Sequence, residues 1–395
     1  MADTLDQKKP PAQKKPESGL LTTVAAVRAD SYDPPALYAG ISRLLDLIGG
    51  IGRFVRPGMR VLIKPNLLSA RGPERAVVTH PEVVAAIARL VREAGGSVQV
   101  GDSPAGAKVG IRRVWDNTGY SEMAAREGLE LVNFEKAGSR PVAIDTSVYY
   151  IARPVLDADL VINVPKLKTH VLTLMTGAVK NMFGSVPGFR KGMYHKSAPS
   201  PRHFSRHVVD VFSAVQPGLT IMDAVLGMEG DGPASGSPRP INLLLASPDG
   251  VALDTVAADV IGLNPQRVHT TRYAAEAGLG IGWLEGIRVA GEKLSSMKIP
   301  DFKLTSNLKL ELLPRFLVNI VDPFLWLFPG IDSSKCIMCG ECVNSCPTKA
   351  LQSNGHRRVP SFRKKLCITC WCCHEVCPEH AVFIDKSFLA SRFLK

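Results

Sequence analysis

Residues 60–104, "RVLIKPNLLSARGPERAVVTHPEVVAAIARLVREAGGSVQVGDSP", decide the fold. The two ends, "RVLIKPN" and "SVQVGDSP", are short apolar runs that lead into polar residues, as buried strands do. Between them lies a helical segment with Pro81 in its first turn and Gly95 as its stop. Its apolar face consists of Val83, Val84, Ile87, Leu90 and Val91. The stretch therefore predicts a β-α-β unit within a parallel sheet.

The same alternation continues along the chain. Strands are predicted over 159–166, 219–224 and 241–247, and a helix over 254–263. The segment "TGAVKNMFG" predicts a short helix capped by Thr176. Residues 20–300 therefore predict an α/β domain with a doubly wound, mostly parallel sheet.

Polar residues follow the predicted strands, and ligands of such sheets bind beyond the carboxyl ends of the strands. Converging lysines with an asparagine and a histidine would hold a phosphate or carboxylate. The carboxylates would take hydroxyl groups or a divalent cation. The alternative is that each residue only caps or solvates its own loop. The predicted substrate-binding residues are Lys64, Asn66, Asp102, Lys166, Lys168, His170, Lys180, Asn181, Asp223 and Glu229.

Histidines provide the catalytic candidates. In "HFSRHVVDVFSAV", apolar residues share one helical face, while His203, His207 and Asp210 share the opposite face. That polar edge predicts either a solvent-facing stripe, a metal site or proton donation at the cleft. The candidates for catalysis are His170, His203 and His207.

All nine cysteines lie between Cys336 and Cys377, in two runs that spell Cys-x2-Cys-x2-Cys-x3-Cys-Pro. This repeat resembles a bacterial two-cluster ferredoxin, in which the fourth cysteine of each run binds the other cluster. Zinc is disfavoured because zinc modules usually pair two short hooks across a longer loop. The resemblance implies two 4Fe–4S clusters, one bound by Cys336, Cys339, Cys342 and Cys377, the other by Cys346, Cys367, Cys370 and Cys373.

Cys372 is the surplus cysteine in "CITCWCC". Using it in place of Cys373 would break the spacing that the first run keeps intact. We therefore expect Cys372 to bind no iron. Its role is either a small buried apolar residue beside Trp371 or a redox-active thiol near the cluster.

The remaining segments set the domain limits. Residues 1–19 read as a disordered basic tail, 301–330 as an apolar connector and 331–395 as the ferredoxin-type domain. The tail lacks the apolar run of a signal peptide. The most apolar stretch of the connector, 316–328, is shorter than the ~20 residues that span a bilayer and is interrupted by Asp322 and Pro323. Both observations predict a cytoplasmic protein without membrane association. The net charge of +12 is spread along the chain and only 6% of residues are aromatic, which disfavours nucleic-acid binding.

With "KPNLL", "THPEVV", "GDSP", "PKLKTH", "TGAVKNMFG" and "MEGDGP" in order, the chain resembles the family catalogued as domain of unknown function 362. The resemblance covers about residues 55–275 and the cysteine region. It implies an α/β iron–sulfur protein and assigns no reaction.

Two functions fit these observations. The first is a ferredoxin-type reductase in which the clusters pass electrons to an anionic small molecule in the α/β domain, with a protein as redox partner. The second is a non-catalytic electron carrier or metallocentre-assembly factor whose α/β domain binds a partner protein. A deep cleft lined by the predicted lysines favours the enzyme, whereas a flat surface favours the carrier.

Overall fold

The computed structural model describes residues 22–104, 107–188, 190–198, 200–305, 327–355 and 358–387. The predicted tail over 1–19 and most of the predicted connector lie outside these ranges. The strands of the α/β domain are β1 (Thr22–Arg28), β2 (Arg60–Pro65), β3 (Ser97–Asp102), β4 (Glu130–Asn133), β5 (Ser139–Ile144), β6 (Ser147–Ala152), β7 (Leu160–Val164), β8 (Lys166–His170), β9 (Leu174–Thr176), β10 (Leu219–Glu229), β11 (Ser237–Ser247) and β12 (Ile287–Gly291).

Ten of these strands form one mixed sheet in the order β12-β1-β11-β10-β7-β2-β3-β4, with β8 paired to β10 and β9 paired to β8. Six of the nine pairings within that sheet, as described, are parallel. The remaining two strands, β5 and β6, form a separate hairpin. The predicted mostly parallel sheet is confirmed.

Helices cover both faces of the sheet. They are α1 (Pro34–Asp46), α2 (Pro81–Glu93), α3 (Ala107–Asn117), α4 (Tyr120–Glu127), α5 (Arg153–Asp157), α6 (Ala178–Asn181), α7 (Arg190–Ser197), α8 (Pro201–Val215), α9 (Gly250–Val260), α10 (His269–Glu276) and α11 (Leu294–Met297). Val61 and Ile63 of β2 pack into the core that contains the apolar face of α2, whereas Leu62 packs into the core under α8. Alternate strand residues thus fill two separate cores, as a doubly wound sheet requires.

Two strands differ from the sequence prediction. The predicted strand over 159–166 divides, because Pro165 separates β7 from β8, and Lys166, Lys168 and His170 lie within β8 rather than in a loop. The predicted strand over 219–224 continues to Glu229, because antiparallel pairing with β11 satisfies its backbone beyond a bulge near Leu226. Asp223 consequently lies inside a strand and not at its end.

The ferredoxin-type module contains β13 (Leu327–Ile331), α12 (Glu341–Asn344), β14 (Leu351–Gln352), β15 (Ser361–Phe362), α13 (Cys372–Val376) and β16 (Val382–Lys386). Its outer strands pair antiparallel, β13 with β16. The two cysteine runs repeat one backbone path: Gly340 and Trp371 occupy equivalent positions before α12 and α13, with φ of 76° and 62°. A buried tryptophan therefore adopts a left-handed conformation that the first run gives to glycine.

Candidate functional site

The cysteines of the module surround two small cavities. One is lined by Cys336, Cys339, Cys342 and Cys377, and the other by Cys346, Cys367, Cys370 and Cys373. Each set takes three cysteines from one run and one from the other. This is the crossed arrangement that the ferredoxin pattern implies.

The donor sets fit iron–sulfur clusters chemically. Burial, followed by the neighbouring thiols of Cys377 and Cys339, raises the pKa of Cys342 to about 12. A metal cation among these sulfurs would remove the penalty of crowding thiolates together. The backbone N–H of Ala350 also donates to Cys346 Sγ at 3.1 Å, the kind of N–H···S bond that stabilises cluster ligands.

A larger cavity of about 1070 Å³ lies between the α/β domain and the ferredoxin-type module, and we call it the interdomain cavity. The module contributes Cys346 and Cys372 to its wall, and the α/β domain contributes residues that follow β2, β3 and β9. Cys372 thus faces the cavity, whereas Cys342, Cys373 and Cys377 belong to the apolar core of the module. This placement differs from the packing role considered from the sequence.

Five of the predicted substrate-binding residues line the interdomain cavity: Asn66, Asp102, Lys168, Lys180 and Asn181. Lys64 lies behind the wall in an ion pair with Asp102, Nζ to Oδ1 at 2.8 Å. Burial, followed by the Lys180 ammonium, holds the pKa of Lys168 well below its usual value. Lys180 also has a lowered pKa through burial, which Glu375 and then Cys372 oppose.

His170 joins the two modules. Its Nδ1 accepts hydrogen bonds from the backbone N–H groups of Leu172 at 3.0 Å and Thr173 at 3.4 Å, so the ring proton belongs on Nε2. That Nε2 lies 3.3 Å from Glu375 Oε1 in the module. Burial lowers the pKa of His170 to about 3. Burial alone would raise the pKa of Glu375, but His170 and Lys180 lower it by more, so that the pKa of Glu375 falls to about 2. A neutral histidine thus meets an ionised carboxylate.

Lys166 and Asp223 do not line the interdomain cavity, contrary to the sequence prediction. Lys166 Nζ pairs with Asp223 Oδ2 at 2.9 Å and donates to the Tyr32 hydroxyl at 2.8 Å. Tyr32 donates to Asp223 Oδ1 at 2.8 Å and stacks on the His80 ring at 3.7 Å. Because this buried network satisfies its own charges, it anchors the segment after β1 instead of binding a ligand.

Glu229 and two of the catalytic candidates also lie away from the interdomain cavity. Glu229 Oε2 accepts from the Lys303 backbone at 3.2 Å. His207 and Asp210 both contact the Tyr149 hydroxyl, at 2.7 Å and 2.5 Å, and His203 contacts Ser200 at 3.1 Å. His203, His207 and Asp210 lie on the polar face of α8, and the apolar face of this helix is buried as predicted.

The predicted divalent-metal site is not supported. No group of three or more His, Cys, Asp or Glu side chains is arranged to hold a lone metal ion in the part of the chain that the structure describes. The reason is visible at Asp102 and Asp223, because each carboxylate is already neutralised by a lysine, Lys64 or Lys166.

Sequence reasoning missed Lys191, His195, Glu135 and Glu375, all of which line the interdomain cavity. Burial lowers the pKa of Lys191 to about 8, and its Nζ donates to Ser103 Oγ at 2.7 Å. Burial lowers the pKa of His195 to about 4, and its ring stacks on Phe204 at 3.9 Å. Lys191 and His195 come from α7, "RKGMYHKS", which has no clear apolar face. The basic composition of that segment was the available signal.

Comparison with known proteins identifies both modules. Residues 61–259 match the family described as "Domain of unknown function (DUF362)". The chain belongs to this family. Residues 329–352 of this DUF362 protein match a "4Fe-4S binding domain", so the module is of the iron–sulfur ferredoxin type.

Similar proteins include one long relative and several shorter ferredoxin-like ones. "Thylakoid-associated protein sll1697" of Synechocystis sp. is 42% identical over 265 residues, which is 66% of this chain and 81% of that protein. A "Ferredoxin" of Methanothermococcus thermolithotrophicus is 36% identical over 58 residues, 14% of this chain and 95% of that protein. The "polyferredoxin-like subunit" of an aliphatic sulfonate oxidoreductase from Pyrococcus furiosus is 40% identical over 55 residues, 13% of this chain and 32% of that subunit. These ferredoxin-like relatives support an electron-carrier role for the DUF362 protein.

Among solved structures, the lactate racemase apoprotein of Thermoanaerobacterium thermosaccharolyticum aligns with a TM-score of 0.38 and 10% identity. The alignment covers 58% of this chain and 54% of that chain. In the described part of the DUF362 protein, none of the helices has the length and apolar character needed to cross a membrane.

Proposed function

We propose that this protein is a ferredoxin-type reductase that transfers electrons to an anionic small molecule in the interdomain cavity. The single observation behind the proposal is that the cavity wall is shared: Cys346 and Cys372 come from the module, and Lys168 and Lys180 come from the α/β domain. The cysteine-containing module and the proposed substrate-binding residues thus line one cavity within a single chain.

The proposal assigns a 4Fe–4S cluster to each four-cysteine set, and such clusters supply single electrons. The residues of the α/β domain do the rest. Lys180 attracts the anionic group of the substrate, and Lys168 lines the same cavity. His195 is a neutral, cavity-lining imidazole and the candidate proton carrier in place of His203 and His207.

A redox partner protein would donate its electrons at the first cysteine set. Cys339 is exposed, and the neighbouring Ile337 and Met338 are 52% and 42% exposed. Lys335, next to them, pairs with Asp332 at 3.4 Å. A carrier with an apolar docking face would fit this surface, and the substitution Ile337→Asp should slow cluster reduction by the partner. We also propose that the protein acts in the cytoplasm; fractionation of cells with an antibody against the chain tests this.

The proposed reductase activity is tested in the absence of oxygen. Protein purified without oxygen is analysed by mass spectrometry for co-purifying anions, and the dithionite-reduced protein is then mixed with each of them. The expected result is reoxidation of the clusters, seen in their visible absorption, with the rate reduced in Lys180→Met. Reduced clusters that stay reduced with every co-purified anion would contradict the reductase.

A non-catalytic electron carrier is the second candidate, because one ferredoxin-like relative is named as a subunit of an oxidoreductase. For this function the α/β domain would bind a partner protein. Reoxidation only when a partner protein is present, with no small-molecule acceptor, would favour the carrier.

A further inference from the structure

Three carboxamides form a hydrogen-bonded series that ends at the interdomain cavity. Asn163 Nδ2 donates to the Ala178 carbonyl at 3.0 Å, and Asn163 Oδ1 accepts from Asn181 Nδ2 at 2.8 Å. Asn181 Oδ1 then accepts from Asn66 Nδ2 at 3.1 Å. Because a main-chain carbonyl can only accept, the orientation of every amide in the series is fixed. Asn66, the last member, is therefore left with its oxygen.

That oxygen is an unused acceptor. Asn66 lines the cavity, and its Oδ1 is buried without a hydrogen-bond partner among the described residues. Thr176 also lines the cavity and is only 3% exposed, and its Oγ1 has no hydrogen-bond partner among the described residues. The sequence predicted that Thr176 caps α6, but the cap is Asp254, which accepts from the backbone N–H groups of Ala178 and Val179 at 2.6 Å and 3.0 Å.

Two lysines, Lys168 and Lys180, line the same cavity as these two groups. Lys180 precedes Asn181 on α6, and its ammonium has no hydrogen-bond partner among the side chains and backbone groups described here. Lys168 uses one N–H on the Val77 carbonyl at 2.5 Å, and Glu375 is the acidic group that both lysines sense. No carboxylate is hydrogen-bonded to the Lys180 ammonium among the described residues, so this group is available to the charge of a bound acid.

Much of the remaining wall is apolar. Its side chains include Leu67, Leu68, Phe183, Met193, Val343 and Val376. The volume of about 1070 Å³ is at the upper end of the range for small-molecule sites. A small polar acid alone would leave this apolar surface uncovered.

We infer that the cavity binds an amphipathic organic acid that carries an O–H or N–H donor next to its acid group. This inference rests on the proposed substrate cavity and specifies what enters it. The acid group pairs with Lys180, the adjacent donor bonds to Asn66 Oδ1, and Thr176 Oγ1 completes the polar end. The apolar body lies along Leu67, Leu68 and Phe183.

Calorimetric titration of the iron-loaded, oxidised protein with three probes tests the inference: 2-hydroxydecanoate, decanoate and 1,2-decanediol. The hydroxy acid should bind most tightly, decanoate about five- to tenfold more weakly through loss of one hydrogen bond, and the diol at least about tenfold more weakly than the hydroxy acid. Lys180→Met should weaken both acids by about tenfold or more and leave the diol unchanged. Equal affinities for all three probes would overturn the inference.

Two further variants separate the donor site from a general loss of structure. Asn66→Leu and, independently, the nearly isosteric Thr176→Val should reduce the difference between 2-hydroxydecanoate and decanoate to about twofold or less. Lys303→Met is the matched control for removal of a positive charge, because Lys303 lies outside the cavity with a side chain that is 77% exposed. If both variants kept the full preference for the hydroxy acid while retaining iron, the assignment of the donor site would be wrong.

Failure of this inference differs from failure of the reductase. The titrations use no reductant, so ligand preference can hold even if reduced clusters are never reoxidised. Conversely, a co-purified acceptor that reoxidises the clusters, combined with no preference among the three probes, would keep the reductase and reject this ligand class.

Discussion

His170 of the α/β domain and Glu375 of the ferredoxin-type module lie 3.3 Å apart, Nε2 to Oε1, and both side chains are buried. Arg71 makes a second connection, because its guanidinium donates to the carbonyl oxygens of Ala234 and Cys377. The module is therefore held by two polar contacts at the C-terminal end of α13. This fixes the wall that carries Cys372 with respect to the lysines of the α/β domain.

Glu375→Gln should weaken this attachment. The amide keeps the shape and one acceptor but loses the charge that faces Lys180, so we expect the free energy of unfolding to fall by about 1–3 kcal/mol. Chemical denaturation measures the change, with the exposed Glu379→Gln as control and iron content checked in both variants. Equal stability of the two variants would show that the buried contact contributes nothing measurable.

The crossed cysteine sets predict about eight irons per chain after anaerobic purification. They also predict that Cys346→Ala, although it lies in the first run, impairs the cluster bound mainly by the second run. Iron analysis and the paramagnetic spectrum of the reduced protein measure both effects. Stoichiometric zinc, or damage confined to the run that carries the substitution, would contradict the crossed sets.

Cys372→Ala should retain its iron, whereas Cys373→Ala should lose a cluster. The reason is that Cys373 lines the second small cavity and Cys372 lines the interdomain cavity. In the intact holoprotein, Cys372 should also be the cysteine that iodoacetamide alkylates, because the other thiols bind iron. Peptide mass spectrometry locates the label, and alkylation of Cys373 in its place would mean that the ligand had been chosen wrongly.

Asp254 predicts a specific pH dependence of stability. Burial raises the pKa of this carboxyl to about 7, against the two backbone N–H groups that lower it. The protonated carboxyl of Asp254 stabilises the folded protein at pH values below the pKa of an unfolded Asp, near 4. This stabilisation is lost as the pH rises to the folded-state pKa of about 7. The loss is about 1.4 kcal/mol for each unit by which the pKa is raised.

Asp254→Asn should remove that dependence. We expect the free energy of unfolding of the unsubstituted protein to decrease, relative to the variant, between pH 4 and pH 7. Denaturation at a series of pH values measures this, and Asp46→Asn, at an exposed position, is the control. A difference that stays constant with pH would rule out a raised pKa at Asp254.

The sequence was sufficient where periodicity was strong. The apolar faces of α2 and α8 are buried as predicted, because both have clear helical spacing and, for α2, Pro81 and Gly95 also mark the ends. It failed where partners came from distant segments. β8 forms because β10 and β9 supply its hydrogen bonds, and nothing local in "KLKTH" distinguishes that strand from a loop.

The cavity was half predicted for the same reason. Asn66 follows β2, Asp102 ends β3, and Lys180 and Asn181 lie on the short helix after β9, so the topology of the sheet brings them together. Lys168 joins them from within β8. Lys191 and His195 come from a helix with no periodic face, and Glu375 comes from the other module. Lys166 carries the same charge as Lys168, but Asp223 neutralises it in a network that only the folded chain reveals.

The carboxamide series means that the proposed selectivity of this cavity depends on Asn163, a residue that does not line it. Asn163 is fully buried on β7, and with the carbonyls of Ala178 and Pro65 it decides which atom of Asn66 is left without a hydrogen-bond partner among the described residues. Divergent relatives could therefore exchange acceptor for donor at the cavity without any substitution in its visible lining. Comparisons of substrate preference across the family should therefore consider Asn163, Asn181 and Asn66 together.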